Sequence, residues 1–349
     1  MQILRYAVYS LLFFLIFRCG LQAQTAPGVS SGADVHAAAA NTPLMLSFEY
    51  VNRHLYTTLS DEKLGTLTLL VDTGTERTQI AREIAEKGDL HKSFWKTNYA
   101  INGYGNKPNE QKYRTVSVAL RSGQGSVFSG SALALDFGEL RKKIEHPVDG
   151  ILGWDFFEQW CTTLDFAAKH LILRNLSECA PPAGKHGTLK GEWSAHGLLL
   201  PSVLTFPNGR STNALLHLDT GSDATLILNT QFRATAGLGE GGPAATETTG
   251  WGLNGGYGGD IVPISSIDIK GEDENLSIDG RQQITTILIG RPGSFSKVHW
   301  WADGVGEAKI NRDGAIGNKI LEHLIWTFDP AAKQIYVEAA ASNNPSKTP

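Results

Sequence analysis

The sequence has little of what several common functions need. It has no block of basic residues, and its formal net charge is -4, so nothing predicts binding to nucleic acid or to an anionic membrane surface. Its ten histidines are scattered, without a His-Glu-x-x-His pattern or paired cysteine ligands, so we expect no metal site. The glycine-rich run 237–260 opens no βαβ unit and predicts no phosphate-binding loop. No cofactor is implied.

Long hydrophobic runs are also missing, and the apolar run near the N-terminus is too short for a comfortable membrane span. It covers residues 6–17, comes after Arg5 and precedes a cleavage site at Leu21-Gln22-Ala23. These features predict a signal peptide over 1–23, no stable membrane span, and export to a periplasm or secretion. A lipoprotein is the alternative, but Arg18 directly before Cys19 fits that reading poorly.

Cysteine is scarce, since the chain has three and only two remain after removal of the signal peptide. Cys161 and Cys179 are 18 residues apart, and an oxidising compartment would allow them to pair. A disulfide and two unpaired thiols both remain open at this stage, because Cβ geometry cannot be read from sequence.

The most informative stretch in the chain occurs twice. Asp72-Thr73-Gly74-Thr75 comes after the apolar run 67–71, and Asp219-Thr220-Gly221-Ser222 after the run 214–218. Such runs predict buried strands, and Thr-Gly after them predicts a sharp exit from the strand. Each copy therefore places a carboxyl group at the end of a buried strand, where a charge is costly unless it is hydrogen-bonded or used.

The segments downstream of the two copies are also repeated. Gly150-Ile151-Leu152-Gly153 comes after the first copy and Gly314-Ala315-Ile316-Gly317 after the second. Asp165 and Asp329 each lie 12 residues beyond the last glycine of these segments and begin related turns that end in Ala-Ala-Lys. This pattern indicates an internal duplication.

With these motifs the sequence resembles the aspartic proteases of the pepsin and retropepsin type over about residues 43–338. The resemblance implies an all-β fold of two pseudo-twofold β-barrel lobes with short helices. We expect a spacer over 24–42, an N-terminal lobe over 43–178, a linker over 179–193, a C-terminal lobe over 194–338 and a disordered tail over 339–349.

Asp72 and Asp219 are the predicted catalytic residues. Two carboxyl groups a few ångströms apart cannot both ionise, so one acts as a base on water and the other as an acid on the substrate carbonyl. The predicted supporting residues are Thr73, Gly74, Thr75, Thr220, Gly221 and Ser222: the glycines allow close backbone approach, Thr75 and Ser222 can donate to the carboxyls, and by resemblance Thr73 and Thr220 interlock. The alternative is two turn aspartates that cap nearby backbone.

Two glycine-flanked tyrosines are candidates for flaps that close over a substrate: Gly103-Tyr104-Gly105 and Gly256-Tyr257-Gly258. Plain glycine-rich hairpins are the alternative. Glu76-Arg77 and Asp223 depart from the family pattern, so these charges could shift the carboxyl pKa values or restrict the substrate.

The resulting prediction is a monomeric aspartic endopeptidase that acts on a peptide or protein substrate. The alternative is a non-catalytic peptide- or cell-wall-binding protein that retains the same fold.

Overall fold

The computed structural model describes residues 42–88, 96–100, 110–238, 246–252, 255–279, 285–289 and 312–340. All of them belong to one compact unit, Thr42–Pro349. The predicted signal peptide 1–23 lies outside the described residues, as do nearly all of the predicted spacer 24–42 and tail 339–349. None of the described helices is long and apolar enough to cross a membrane.

The fold is mostly β, as the sequence predicts. The described elements of the N-terminal half are β1 Leu44–Val51, β2 His54–Asp61, β3 Gly65–Val71, β4 Gln79–Ala81, α1 Arg82–Lys87, β5 Lys96–Ala100, β6 Glu110–Ser122, β7 Gly125–Leu135, α2 Gly138–Lys143, β8 Gly150–Leu152, α3 Trp154–Phe157, β9 Cys161–Asp165 and β10 His170–Arg174. A 3-10 turn comes next at Leu176–Glu178.

The elements of the C-terminal half have a similar order. They are β11 Gly187–Leu189, β12 Glu192–Ser194, β13 Gly197–Thr205, β14 Ser211–Leu218, β15 Leu226–Leu228, α4 Thr230–Thr235, β16 Thr246–Gly252, β17 Gly255–Pro263, β18 Ser266–Ile269, β19 Leu276–Asp279, β20 Thr285–Ile289, β21 Gly314–Ile316, α5 Asn318–Leu321, β22 Leu324–Asp329 and β23 Gln334–Ala339.

The same strand pairings occur in both halves. In the first, β8 lies parallel to β3 and antiparallel to β4, and β4 lies parallel to β7. In the second, β21 lies parallel to β14 and antiparallel to β15, and β15 lies parallel to β20. The repeat that is written in the sequence is therefore also a repeat of topology.

The described strands form a sheet of thirteen strands and a sheet of ten. In the larger sheet, a further pairing of Ser60 in β2 with Arg121 in β6 curls the strands into a β-barrel. β22 of the C-terminal half pairs with β9 of the N-terminal half, so the two halves share one continuous sheet.

Where the two halves join in that shared sheet, Thr163 of β9 lies opposite Thr327 of β22. Their hydroxyl oxygens are 2.9 Å apart and both residues are buried. Each threonine stands two residues before the aspartate of the repeated turn, Asp165 or Asp329, so two equivalent positions of the repeat meet each other. The carboxylates of these two aspartates each accept a hydrogen bond of 2.9 Å, from the N–H of Ala168 and of Ala332.

One sequence expectation about a local element needs correction. The sequence predicts a helix over 79–87 with Thr78 as its cap, but residues Gln79–Ala81 form the fully buried strand β4, and α1 begins only at Arg82. Pairing with β7 and β8 therefore overrides the local helix signal. The predicted linker 179–193 contains β11, which pairs with β23, and most of β12, which pairs with β13.

Candidate active site

Each aspartate of the duplicated motif is held at the end of a strand by its apolar-apolar-Gly partner. The N–H of Asp72 donates to the carbonyl of Leu152 in β8 at 3.0 Å, and the N–H of Asp219 donates to Ile316 in β21 at 3.0 Å. β3 and β14 lead to these positions from within the core, where Val71 and Leu218 are fully buried. The sequence repeat thus supplies two equivalent supports for two equivalent carboxyl groups.

The two carboxyl groups are brought together, because each lies against the glycine of the opposite motif. A Cβ added to Gly74 would be 2.4 Å from Oδ1 of Asp219, and one added to Gly221 would be 2.4 Å from Cγ of Asp72. Any larger residue at either glycine would displace the facing carboxyl group.

Thr73 and Thr220 lock the two motifs to each other beneath the carboxyl groups. The hydroxyl of Thr73 donates to the carbonyl of Leu218 at 2.8 Å and accepts from the N–H of Thr220 at 3.0 Å. The hydroxyl of Thr220 donates to the carbonyl of Val71 at 3.0 Å and accepts from the N–H of Thr73 at 3.0 Å. Both threonines are fully buried, so neither half can complete this arrangement alone.

The hydrogen bonds to the two carboxyl groups differ. Asp72 accepts from the N–H of Gly74 at 2.8 Å and from the hydroxyl of Thr75 at 2.7 Å. Asp219 accepts from the N–H of Gly221 at 2.9 Å. The hydroxyl oxygen of Ser222 accepts from the N–H of Ala224 at 3.4 Å, so the expected match between Thr75 and Ser222 does not extend to their hydrogen bonds.

Burial raises the pKa of both aspartates, because an ionised carboxylate loses its hydration in the protein interior. The hydroxyl of Thr75, the N–H of Gly74 and the charge of His54 oppose that rise and lower the pKa of Asp72. The negative charge of Asp72 raises the pKa of Asp219 further, while Arg312 lowers it. The hydrogen bonds and charges around the pair therefore favour ionisation of Asp72 before Asp219.

Each half also places a hairpin against the residue that comes directly after the apolar-apolar-Gly segment of the other half. Asn318, fully buried at the start of α5, donates through its side-chain amide to the carbonyls of Arg53 at 2.6 Å and Thr220 at 2.7 Å. Arg53 belongs to the β1–β2 turn. In the opposite direction, Trp193 of β12 packs on Trp154 of α3 with ring centroids 5.5 Å apart.

Of the charged residues just after the motifs, Glu76 and Arg77 have partners outside the motifs, and Asp223 is exposed. Glu76 lies 2.7 Å from Nδ1 of His196 in the β12–β13 turn. Arg77 pairs with Asp155 at 3.4 Å and donates to the carbonyl of Ser131 at 3.1 Å. The charges that lower the carboxyl pKa values are instead those of His54 and Arg312, which sequence reasoning missed.

A signal for His54 was present in the sequence, since it begins the strand that pairs with β3. Tyr56 lies opposite Leu70, and continuing this antiparallel register by two residues puts His54 beside Asp72. Arg312 carries no comparable signal. It lies 93 positions after Asp219 and comes close only because β21 pairs with β14.

The candidate flaps are only partly described. Gly103, Tyr104 and Gly105 lie outside the described residues. Gly256, Tyr257 and Gly258 are in β17, where the backbone of Tyr257 pairs with Gly250 in the β16–β17 hairpin. This pairing suits both a flap and a plain hairpin, so the flap assignment stays a prediction.

Cys161 and Cys179 form a disulfide with Cα atoms 5.5 Å apart. The bond ties the start of β9 to the end of the 3-10 turn after β10, and Cys161 is buried.

No protein-family model and no curated protein matches the sequence. The crystal structure of basic 7S globulin from soybean is similar, with a TM-score of 0.48 and 12% sequence identity, over 87% of this chain and 96% of the globulin chain. The classification of the chain as a pepsin- or retropepsin-type aspartic protease is wrong, because no protein-family model supports it. The function must be argued from the site itself.

Proposed function

We propose that the chain is an endopeptidase that hydrolyses peptide bonds with a water molecule activated between Asp72 and Asp219. The observation that carries the proposal is the placement of each carboxyl group on the glycine of the opposite motif, with different hydrogen bonds to each. That asymmetry leaves one base and one acid side by side, which is what addition of water to an amide requires.

In this mechanism Asp72 is the carboxylate and Asp219 is the acid. Asp72 takes a proton from water as the water oxygen bonds to the carbonyl carbon, and Asp219 gives its proton to the carbonyl oxygen. The tetrahedral diol then returns a proton to Asp219, Asp72 gives its proton to the nitrogen, and the C–N bond breaks. Both residues end in their starting states, and no covalent intermediate with the protein forms.

The proposal includes a two-lobed arrangement with a pseudo-twofold axis between the halves. Two contacts between equivalent residues support it: Thr73 with Thr220, and Thr163 with Thr327. Both carboxyl groups belong to one chain, so the active unit is a monomer. The flap candidates would cover a peptide in the cleft. Export fits the disulfide, since such bonds persist in oxidising compartments.

The test is hydrolysis of a peptide library by the protein without residues 1–23, from pH 3 to 8, with and without a statine-type inhibitor. We expect inhibitor-sensitive cleavage that is lost in both Asp72→Asn and Asp219→Asn. Asp136→Asn is the matched control, because Asp136 is exposed and the amide oxygen can still accept from Gly138. A folded wild-type protein that binds peptides but cleaves none at any pH would favour the binding-protein alternative.

A further inference from the structure

A buried histidine and an arginine lie behind Asp219. His217 is in β14, two residues before Asp219, and is 2% exposed. Its Nδ1 is 2.7 Å from Nη1 of Arg312. Because a guanidinium only donates, Nδ1 must accept, which makes His217 neutral with its proton on Nε2. Burial and the neighbouring Arg312 charge lower the pKa of His217, in agreement with this form.

The N-terminal half has nothing of this kind at the equivalent position. Leu70, two residues before Asp72, packs in an apolar cluster with Tyr56 and Ile151. The fold therefore does not require a polar residue at position 217. Burial of an imidazole next to a cation costs free energy that a leucine at this position would not cost. The pair is a feature of the Asp219 side alone.

Gly197 makes room for the histidine ring. It lies at φ +123°, and a Cβ there would be 2.2 Å from Nε2 of His217. Leu199 pairs with His217, so continuing this register by two residues puts Gly197 beside Asp219. The equivalent position in the other half is His54, beside Asp72. Each aspartate thus has an imidazole behind it, but from a different strand.

The charged groups near Asp219 come from several elements. Asp72 faces it from the other motif and raises its pKa, while Arg312, before β21, lowers it. Asp313 accepts from the N–H of Leu215 at 2.9 Å, and in the β12–β13 turn His196 lies against Glu76. Arg312 is therefore the cation that acts on Asp219, as His54 acts on Asp72.

We propose that Arg312, oriented by His217, is a positioning residue that keeps Asp219 able to release its proton during the reaction. This rests on the proposed function. Asp219 accepts from the N–H of Gly221, whereas Asp72 accepts from the N–H of Gly74 and also from the hydroxyl of Thr75. Asp219 also faces the negative charge of Asp72. Without a compensating cation its proton is held too firmly, and an acid works best when its pKa lies near the working pH.

The test is the titration of Asp219 by NMR in protein labelled with ¹³C at the aspartate carboxyls, together with the pH dependence of kcat/KM. In Arg312→Gln we expect the Asp219 titration and the alkaline limb of kcat/KM to move up by roughly half a pH unit or more. kcat should fall with KM little changed, and the acid limb, set by Asp72, should stay in place. Arg312→Lys should retain most of the wild-type behaviour.

His217→Leu separates orientation from charge. It copies Leu70 of the other half, so it should fold, and the Asp219 titration should move upward because Arg312 loses its partner. The control is Arg210→Gln, an exposed arginine of the same half, which should move neither limb. An unchanged Asp219 titration in folded Arg312→Gln, or in His217→Leu if the former does not fold, would overturn the inference. A wild type without peptidase activity would refute the proposed function, while the titration would still decide the role of Arg312.

Discussion

Gly74 lies directly against the carboxyl group of Asp219, the aspartate of the other motif, and Gly221 lies in the same way against Asp72. Each motif therefore supplies one carboxyl group of the site and also the glycine backbone on which the other carboxyl group lies. The reciprocity ties the chemistry to the docking of the two halves, because a shift of either loop moves one carboxyl group relative to the other.

Substitution of either glycine by alanine should abolish activity. The added Cβ would stand 2.4 Å from a carboxyl atom in both cases, so a loop must move. We expect Gly74→Ala and Gly221→Ala to lose peptide hydrolysis and to be destabilised by about 1–3 kcal/mol. Gly123→Ala is the control, because its Cβ would meet nothing within 4 Å. Full activity in either variant would show that the carboxyl groups do not depend on this close approach.

The pairing of the two aspartates could be predicted from the sequence, because the motif, its apolar-apolar-Gly partner and the closing turn are all repeated in one order. Local sequence patterns do not predict that the two aspartates have different hydrogen bonds and different charged neighbours. Thr75 and Ser222 look equivalent in sequence but differ in their hydrogen bonds. Arg312 reaches His217 only through a parallel strand pairing of residues nearly a hundred positions apart.

Short motifs did not predict the family of the chain. Short motifs with their spacing define a chemistry, whereas classification depends on similarity along the whole chain, and no family model matches here. The expectation of a helix over 79–87 is wrong because it rests on local propensity. Burial of β4 between two strands outweighs the propensity of such a short segment.

The interlocked threonines should be worth several kcal/mol to the folded state. Thr73→Val keeps the shape of the side chain but leaves the carbonyl of Leu218 and the N–H of Thr220 without this partner. An unpaired buried group costs about 1–3 kcal/mol, so we expect a loss of roughly 2–5 kcal/mol in the free energy of unfolding. Urea unfolding measures it, with Thr66→Val on the exposed part of β3 as the control. A loss no larger than that of the control would contradict a structural role for the interlock.

The disulfide should stabilise the protein. A crosslink across 18 residues contributes about 3 kcal/mol when its main effect is on the entropy of the unfolded chain. We expect denatured, non-reduced protein to show no free thiol from Cys161 or Cys179, and the variant Cys161→Ala/Cys179→Ala to unfold at a lower urea concentration. Two reactive thiols in protein purified from an oxidising compartment would contradict the bond.

The stability of the protein should fall as pH rises, in part because of Asp219. Burial and the charge of Asp72 raise the pKa of Asp219 in the folded protein, whereas in the unfolded chain it is about 3.9. Above that value the unfolded chain has released the proton and the folded protein still holds it, so the contribution of Asp219 to stability weakens until the folded pKa is reached.

The variant Asp219→Asn removes this effect and keeps an acceptor for the N–H of Gly221. We expect the variant to gain stability over wild type above about pH 4, by up to about 1.4 kcal/mol for each unit of pKa elevation, and to show no gain below that pH. Urea unfolding from pH 3 to 8 at constant ionic strength measures the difference, with Asp136→Asn as the control. A gain that does not change with pH would mean that Asn at 219 acts by packing, and the proton would not be held on Asp219.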